Sequence, residues 1–442
     1  MDSIEKIRVR VAVVVGLELT DEAGGHVKCW ERLAGAALKS NFPIDLTIFF
    51  HGRKKKTITI SESVRYQIIP PVFSSRKFKF LNVGADYTDL APIDPRLVWG
   101  LGKFDIIHST DTAFCTGVSA KLSSKIWNKP LVTSVHTDVA GYTEFYAKRI
   151  LHRSLAGVPK IARWLCEKYN LPKRFAQKVR RKSRAHMENC EWVFVGKSYN
   201  HDLMYLPKDI KNLSVLRRGI DRSVFKEIRT AKRSIKSQYQ LQSDEYLISF
   251  AGRIDEAKGA VTAAQIVREL DKRGYKVKLF LAGTGDQSDL VKRIGGENII
   301  LPGALPQSDL AVLLSASDLF LFPSKYEVSP NAVLEAKSCG VTCVVSPEGG
   351  GKFIHKNGSD GVVISSDDVV VWVDSIANLL ENPEKRQKIG RRGQQIVQLK
   401  EPDWDIVYAE DLCPAWLSVF DGQDGGVLKN DWKVHPGAIS PS

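Results

Sequence analysis

A chain of 442 residues, 43% hydrophobic and 26% charged, has the composition of a soluble globular protein and the length for two domains with full cores. No apolar run approaches the ~20 residues that cross a bilayer, no signal-peptide pattern opens the chain, and the seven cysteines are scattered without zinc-type spacing, Cys339 and Cys343 included. A membrane-spanning protein and a metal site are thereby excluded and a cytoplasmic protein with reduced cysteines is expected, while the net charge of +14 implies an anionic partner: nucleotide, nucleic acid or acidic membrane.

Residues 9–16 read as a first buried strand. A loop ending in Gly24-Gly25 leads to a helix over 27–39, whose Val27, Trp30, Leu33, Ala34, Ala37 and Leu38 fall on one side. Residues 44–50 return as a strand. Paired glycines at the first turn let a backbone approach a phosphate, and they serve an ordinary tight turn equally well; the spacing is not the Gly-x-Gly-x-x-Gly of dinucleotide sites. Residues 51–103 are less regular. Residues 105–108 are strand-like, a helix is expected over 113–127, and 131–135 is a strand with His136-Thr137-Asp138-Val139-Ala140-Gly141-Tyr142 at its carboxyl end. Between 160 and 185 the chain turns basic. Lys173, Arg174, Lys178, Arg180, Arg181, Lys182 and Arg184 fall within twelve residues that hold no acid, and Trp164, Leu165, Phe175 and Val179 share the stretch. A basic amphipathic helix suits an anionic lipid surface. A solvated helical face and a nucleic-acid contact are the other readings, and no helix-turn-helix, RNA-recognition or zinc-finger pattern supports the last.

Trp192–Val195 is a strand, and the Gly196-Lys197-Ser198 after it lacks the upstream glycine of a P-loop. A helix over 229–243 precedes strands at Tyr246–Ala251, Val277–Ala282 and 299–301. Gly252-Arg253-Ile254-Asp255-Glu256-Ala257-Lys258-Gly259 follows the first of these. Two cations at a strand end before a helix suit a diphosphate, arginine as a planar fork of donors and lysine as a compact charge. Gly283-Thr284-Gly285 follows the next strand. Leu319–Phe322 is an aromatic-rich buried strand ended by Pro323 and Ser324. Ser329-Pro330 enters a helix over Asn331–Ser338, which Gly340 closes, and 341–345 is the next strand. Glu327 thus lies at a strand's carboxyl end, where open parallel sheets bind ligands, and a carboxylate there can accept two sugar hydroxyls. Glu335 lies in the helix. Helices at 369–381, 384–399 and 404–420 follow, and 421–442 read as a loose tail.

The two glutamates stand in the setting Pro-Ser-x-x-Glu-x-x-Pro-x-x-x-x-Glu-Ala-x-x-x-Gly. This resembles the signature of retaining glycosyltransferases of family four, the glycosyl transferases group 1. His136 with its Thr-Asp-x-x-x-Tyr, and Arg217-Arg218-Gly219-Ile220-Asp221, look like the branch that glycosylates membrane lipids. The resemblance spans about 9–420 and is strong over 246–365. It departs at Ala257, where the family has a glutamate before the lysine, and at Lys352 or Phe353, where an acid follows the glycine pair.

The resemblance implies an α/β GT-B fold, two doubly wound Rossmann-like domains facing across a cleft. They would occupy 1–205 and 206–401, with 402–420 crossing back onto the first. It implies a UDP- or GDP-sugar held by Gly252, Gly283, Gly285, Ser329, Asn331 and Glu335, with Gly24 and Gly25 facing the diphosphate. Catalysis would fall to Arg253 and Lys258 on the leaving diphosphate, Glu327 on the donor sugar and His136 beside sugar and acceptor. Asp138, Tyr142, Lys173, Arg174, Lys178, Arg180, Arg181 and Lys182 would meet the acceptor or the membrane. No Asp-x-Asp motif lies in a loop placed to hold a divalent cation, so a reaction without cofactor or metal is expected. The leading reading is transfer to a glycolipid or lipid-linked glycan at the cytoplasmic face of a membrane. The alternatives are transfer to a soluble sugar or polysaccharide, a GT-B sugar-nucleotide epimerase, and a non-catalytic protein binding membrane or nucleic acid. The sequence names no sugar, base or oligomeric state.

Overall fold

The computed structural model describes residues 8–20, 23–77, 89–196, 206–327 and 330–424. The chain divides into two compact units, Met1–Arg217 with Trp404–Ser442, and Arg218–Asp403. Residues 206–217 lie with the first unit because the last strand of its sheet falls there.

The first unit runs β1 (Val9–Glu18), α1 (Gly25–Lys39), β2 (Ile44–His51), β3 (Lys56–Thr59), β4 (Val64–Ile69), α2 (Pro95–Gly100), β5 (Ile106–Ser109), α3 (Cys115–Trp127), β6 (Leu131–Ser134), α4 (Val139–Ser154), α5 (Pro159–Glu167), α6 (Leu171–Met187), β7 (Trp192–Val195) and β8 (Leu213–Val215). Its sheet has the order β3-β4-β2-β1-β5-β6-β7-β8 and is parallel except where β3 pairs with β4. β1 is apolar on both faces: Val9, Val11, Val13 and Val15 enter one core, and Ala12 and Val14 the other. A parallel strand covered by helices on both sides requires this. The 51–103 stretch hides two strands. β3 is a largely exposed edge strand, so no apolar alternation marks it. The basic stretch is two helices, not one: Asn170, at φ 48°, takes a left-handed conformation between α5 and α6.

The second unit runs α7 (Ala231–Gln238), β9 (Tyr246–Ala251), α8 (Ala260–Lys272), β10 (Val277–Ala282), α9 (Ser288–Gly295), β11 (Ile299–Gly303), α10 (Gln307–Ala316), β12 (Leu319–Phe322), α11 (Asn331–Ser338), β13 (Thr342–Val345), β14 (Val362–Val363), α12 (Val369–Glu381) and α13 (Pro383–Lys400). Its six-stranded sheet has the order β11-β10-β9-β12-β13-β14, parallel throughout. The four inner strands are short hydrophobic runs largely buried on both faces, the edge strands β11 and β14 are half-buried, and Phe250, Phe320 and Phe322 fill the centre. A charged pair is buried within this core. Lys337 of α11 donates to Asp360 Oδ2 at 2.7 Å and to the Phe353 carbonyl at 2.5 Å.

The C-terminal segment is α14 (Trp404–Ile406), a π-helical stretch Val407–Leu412 and α15 (Cys413–Asp424). It is not the single regular helix expected. Trp404, Tyr408, Leu412 and Trp416 join the core that β1 and α1 line. Arg217 is pinned to this segment, its Nη2 2.7 Å from Asp411 Oδ1 and 2.7 Å from Glu410 Oε2. No helix among the described residues is long and apolar enough to cross a membrane.

Candidate functional site

In the second unit the strand order reverses direction between β9 and β12, and such a point is where an open parallel sheet binds ligands, outside the carboxyl ends of the strands. The loops leaving there are 252–259 after β9 and 323–327 after β12. They are tied to each other: the Lys325 amide donates to the Ala257 carbonyl at 2.9 Å. Ser324 Oγ lies 3.1 Å from that carbonyl and 3.2 Å from Glu327 Oε1, so one hydroxyl proton is shared between two acceptors. The Lys258 ammonium closes the arrangement as an ion pair with Glu327, both side chains mostly buried. Beneath them Asp255 is fully buried. It accepts from the Lys258 amide at 2.9 Å and lies 3.3 Å from Arg253 Nε, a charge pairing and not an aligned hydrogen bond. Burial raises the Asp255 carboxyl above its ordinary range, against the pull of the Arg253 guanidinium. Arg253, Lys258 and Glu327 are therefore brought together, with Asp255 and Ser324 as supports that the sequence reading gave no role. Ala257, where the family pattern has a glutamate, is fully buried and contributes its carbonyl to the loop tie.

The glycines fit the loops closely. Gly252 N donates to Ala282 O at 3.0 Å, and Ile254 N to Thr284 O at 2.9 Å, so the loops after β9 and β10 lie against one another. Gly283 has φ +150°, and a Cβ there would sit 1.9 Å from Gly252 O; one at Gly285 would sit 2.1 Å from Ile254 O. Gly283→Ala is expected to cost about 2–3 kcal/mol, combining a sparsely populated backbone conformation with a clash against main chain that cannot swing aside. A shift of the urea midpoint at unchanged slope measures it, and an unchanged midpoint would contradict it. Asn331 opens α11, its Oδ1 buried without a hydrogen-bond partner among the described residues. Glu335, one turn on, is 5% exposed, so its carboxylate is not a solvated surface charge. Ser329 lies outside the described residues. Phe353 is in the core and Lys352 is exposed, so the acid missing after the glycines is replaced by a packing residue and a surface cation.

The first unit's sheet reverses between β1 and β5. Gly24 is the N-cap of α1 and Gly25 its first residue, with no side-chain cap on the helix. His26 follows and stacks on His136, ring centroids 4.3 Å apart at 17°. Sequence reasoning missed His26; its position directly after the glycine pair was the available signal. His136 follows β6 and lies 2.8 Å from Ser134 Oγ through Nε2. Asp138 caps α4, accepting from the Gly141 amide at 2.9 Å, and Tyr142 stacks on Tyr146. Asp138, Thr112, Thr137, Ser183 and Arg180 line a small, partly open pocket. Arg180 is thus set apart from Lys173, Arg174, Lys178, Arg181 and Lys182, which are exposed on α6.

Residues 231–396 match the sequence model of the family described as glycosyl transferases group 1. This part of the chain belongs to that family. A D-inositol 3-phosphate glycosyltransferase of Segniliparus rotundus is 27% identical to this chain over 202 residues, 44% of each protein, so the match spans less than half of that relative's length. Sucrose-phosphate synthase from Thermosynechococcus elongatus superposes with a TM-score of 0.69 at 18% identity, over 94% of this chain and 100% of that one. Anabaena HepE, solved in complex with UDP and glucose, gives 0.64 at 15% identity, over 91% and 97%. These likenesses establish the fold, GT-B, with two Rossmann-like units.

Proposed function

We propose that this group 1 chain is a retaining glycosyltransferase that moves a sugar from a UDP- or GDP-sugar to a hydroxyl of a glycolipid or lipid-linked glycan. The observation that carries the reading is the meeting of Arg253, Lys258 and Glu327 where the second unit's sheet reverses. As the glycosidic bond breaks, its electron pair passes to the departing diphosphate, and cations already fixed in place stabilise that charge without reorganising. Lys258 has three N–H donors, so it can hold Glu327 and a phosphate oxygen together. Glu327 accepts hydroxyls of the donor sugar, and Glu335 those of the ribose. Retention follows from attack on the face the diphosphate leaves. The acceptor oxygen bonds to the anomeric carbon, the bond to the diphosphate oxygen breaks, and the leaving phosphate takes the acceptor proton. With positive charge supplied by side chains, the reaction on this reading needs no divalent cation. Nucleoside diphosphate release from UDP- and GDP-sugars, followed with and without lipid extracts, tests it. No release from any donor would exclude it, as would a Glu327→Gln protein with full activity.

The acceptor falls to the first unit. α5 and α6 expose Ile161, Trp164 and Phe175 beside their lysines and arginines, a combination suited to the headgroup layer of an acidic membrane. At roughly 1 kcal/mol per cation, Lys178→Gln with Arg181→Gln is expected to weaken binding to acidic vesicles about 30-fold. Co-sedimentation over a salt series measures this, and binding indifferent to both salt and substitution would contradict it. Transfer to a soluble phosphorylated acceptor is the second reading, favoured by relatives named D-inositol 3-phosphate glycosyltransferase. Transfer to such a sugar without any vesicle binding would select it.

A further inference from the structure

An unbroken hydrogen-bonded line runs through the first unit from the C-terminal segment to His136. Trp416 Nε1 donates to His108 Nδ1 at 3.1 Å, His108 Nε2 lies 2.9 Å from Ser134 Oγ, and Ser134 Oγ lies 2.8 Å from His136 Nε2. All four side chains are buried. The direction of each bond follows from the donors available. An indole N–H only donates, so His108 Nδ1 is a lone pair and its proton sits on Nε2. Burial pushes the His108 imidazole down to about 3, which keeps it neutral. Its Nε2–H therefore donates to Ser134 Oγ. Ser134 makes no other side-chain hydrogen bond among the described residues, so its own proton has one place to go, His136 Nε2. The reverse arrangement would strand a buried hydroxyl proton, which folding penalises.

We infer that Trp416, His108 and Ser134 are positioning residues that hold His136 in the tautomer with its proton on Nδ1, so that it meets a ligand as a hydrogen-bond donor and not as a base. The His26 ring stacked on His136 and the edge of Trp30 against both His108 and His136 hold the ring planes in register with this line. The consequence for chemistry rests on the proposed glycosyl transfer and on the placement of His136 beside sugar and acceptor that the family resemblance implies; the tautomer itself does not. A donor here suits an oxygen of the sugar or acceptor. It leaves removal of the acceptor proton to the departing phosphate. It also gives the buried Trp416 a task beyond packing.

Side-chain ¹⁵N spectra of histidine-labelled protein, with His136 assigned through His136→Asn, read the tautomer directly. The wild type is expected to show His136 protonated on Nδ1 and bare on Nε2. Ser134→Ala shifts the population toward Nε2–H, and Ser134→Thr, which keeps the hydroxyl, preserves the wild-type pattern. In transfer assays Ser134→Ala lowers kcat about tenfold with KM within about twofold, the split expected for an interaction made in the transition state. A wild-type His136 protonated on Nε2, or a tautomer unmoved by Ser134→Ala, overturns the inference; should Ser134→Ala not fold, the wild-type spectrum decides. If the tautomer responds as described while His136→Asn transfers sugar at the wild-type rate, the line stands and the sugar-site reading of His136 fails.

Discussion

Arg253→Ala and Lys258→Ala are each expected to lower kcat by about 10²–10³, the loss that follows removal of one preorganised group at a developing charge. Both cations lie at the carboxyl end of β9, and neither is a loose surface group. Lys258 is held by Glu327 and Arg253 by Asp255. In the absence of substrate the charges are already balanced, so a diphosphate does not have to order them. Each substitution also undoes part of this balance: Lys258→Ala leaves Glu327 without its cation, and Arg253→Ala leaves a buried carboxylate beneath the site. On the proposed mechanism both cations serve one leaving group, so the double variant should lose less than the product of the single losses. Arg253→Lys should recover only part of the rate, because an ammonium cannot reproduce the guanidinium fork. Rapid-mixing measurement of diphosphate release separates these effects from product dissociation. A kcat within threefold of wild type for either alanine variant would remove the leaving-group role.

Lys337→Met is expected to destabilise the second unit by about 3–5 kcal/mol, the cost of stripping one partner from a buried ion pair. The Lys337 and Asp360 side chains are 1% and 2% exposed. Asp360 also accepts from the amides of His355 and Lys356, so it organises the turn before β14 as well as neutralising Lys337. Burial alone would raise the Asp360 carboxyl; the Lys337 ammonium and the two amides outweigh it and hold the group below its ordinary value of 3.8. A folded value below the unfolded one means the stabilisation is present above 3.8 and is lost as pH falls through the depressed value. Wild type should therefore lose stability below about pH 4, and Asp360→Asn should lose less over that range. Adding Asp360→Asn to Lys337→Met removes both charges while leaving an amide oxygen for the His355 and Lys356 amides, and should restore part of the loss. Denaturant midpoints measure all three proteins. A single variant as stable as wild type would show that the pair contributes nothing.

Much of the second unit could be read from residues alone, for a physical reason. Tyr246–Ala251, Val277–Ala282 and Leu319–Phe322 are largely buried on both faces, so each is an apolar run interrupted at most by one polar residue, Ser249 or Lys278, and the glycine or proline after it marks where the chain leaves the sheet. The same punctuation carries the site, since ligand-binding loops begin at those carboxyl ends. The supports were harder to see. Asp255 stands in the open as an acid between Arg253 and Lys258, but only burial shows that it links them. Lys337 looks like an ordinary helix-surface cation and Asp360 like a turn residue until packing closes over both. In the first unit the edge strand β3 has no apolar face to announce it. The line from Trp416 to His136 joins residues from distant parts of the chain, and no local pattern encodes such a pairing. The first passage between units falls at 217–218, past the 205–206 expected, because β8 is too short to register as a strand belonging to the sheet before it.

Calorimetric titration of UDP and GDP into wild type and into the Arg253→Ala, Lys258→Ala double variant tests the central claim, that the second unit holds a nucleoside diphosphate at the end of β9. Wild type should bind one of the two saturably, with a single site per chain, and a double variant that remains folded should lose that binding. Binding of neither nucleotide, or binding equally tight in both proteins, would contradict it.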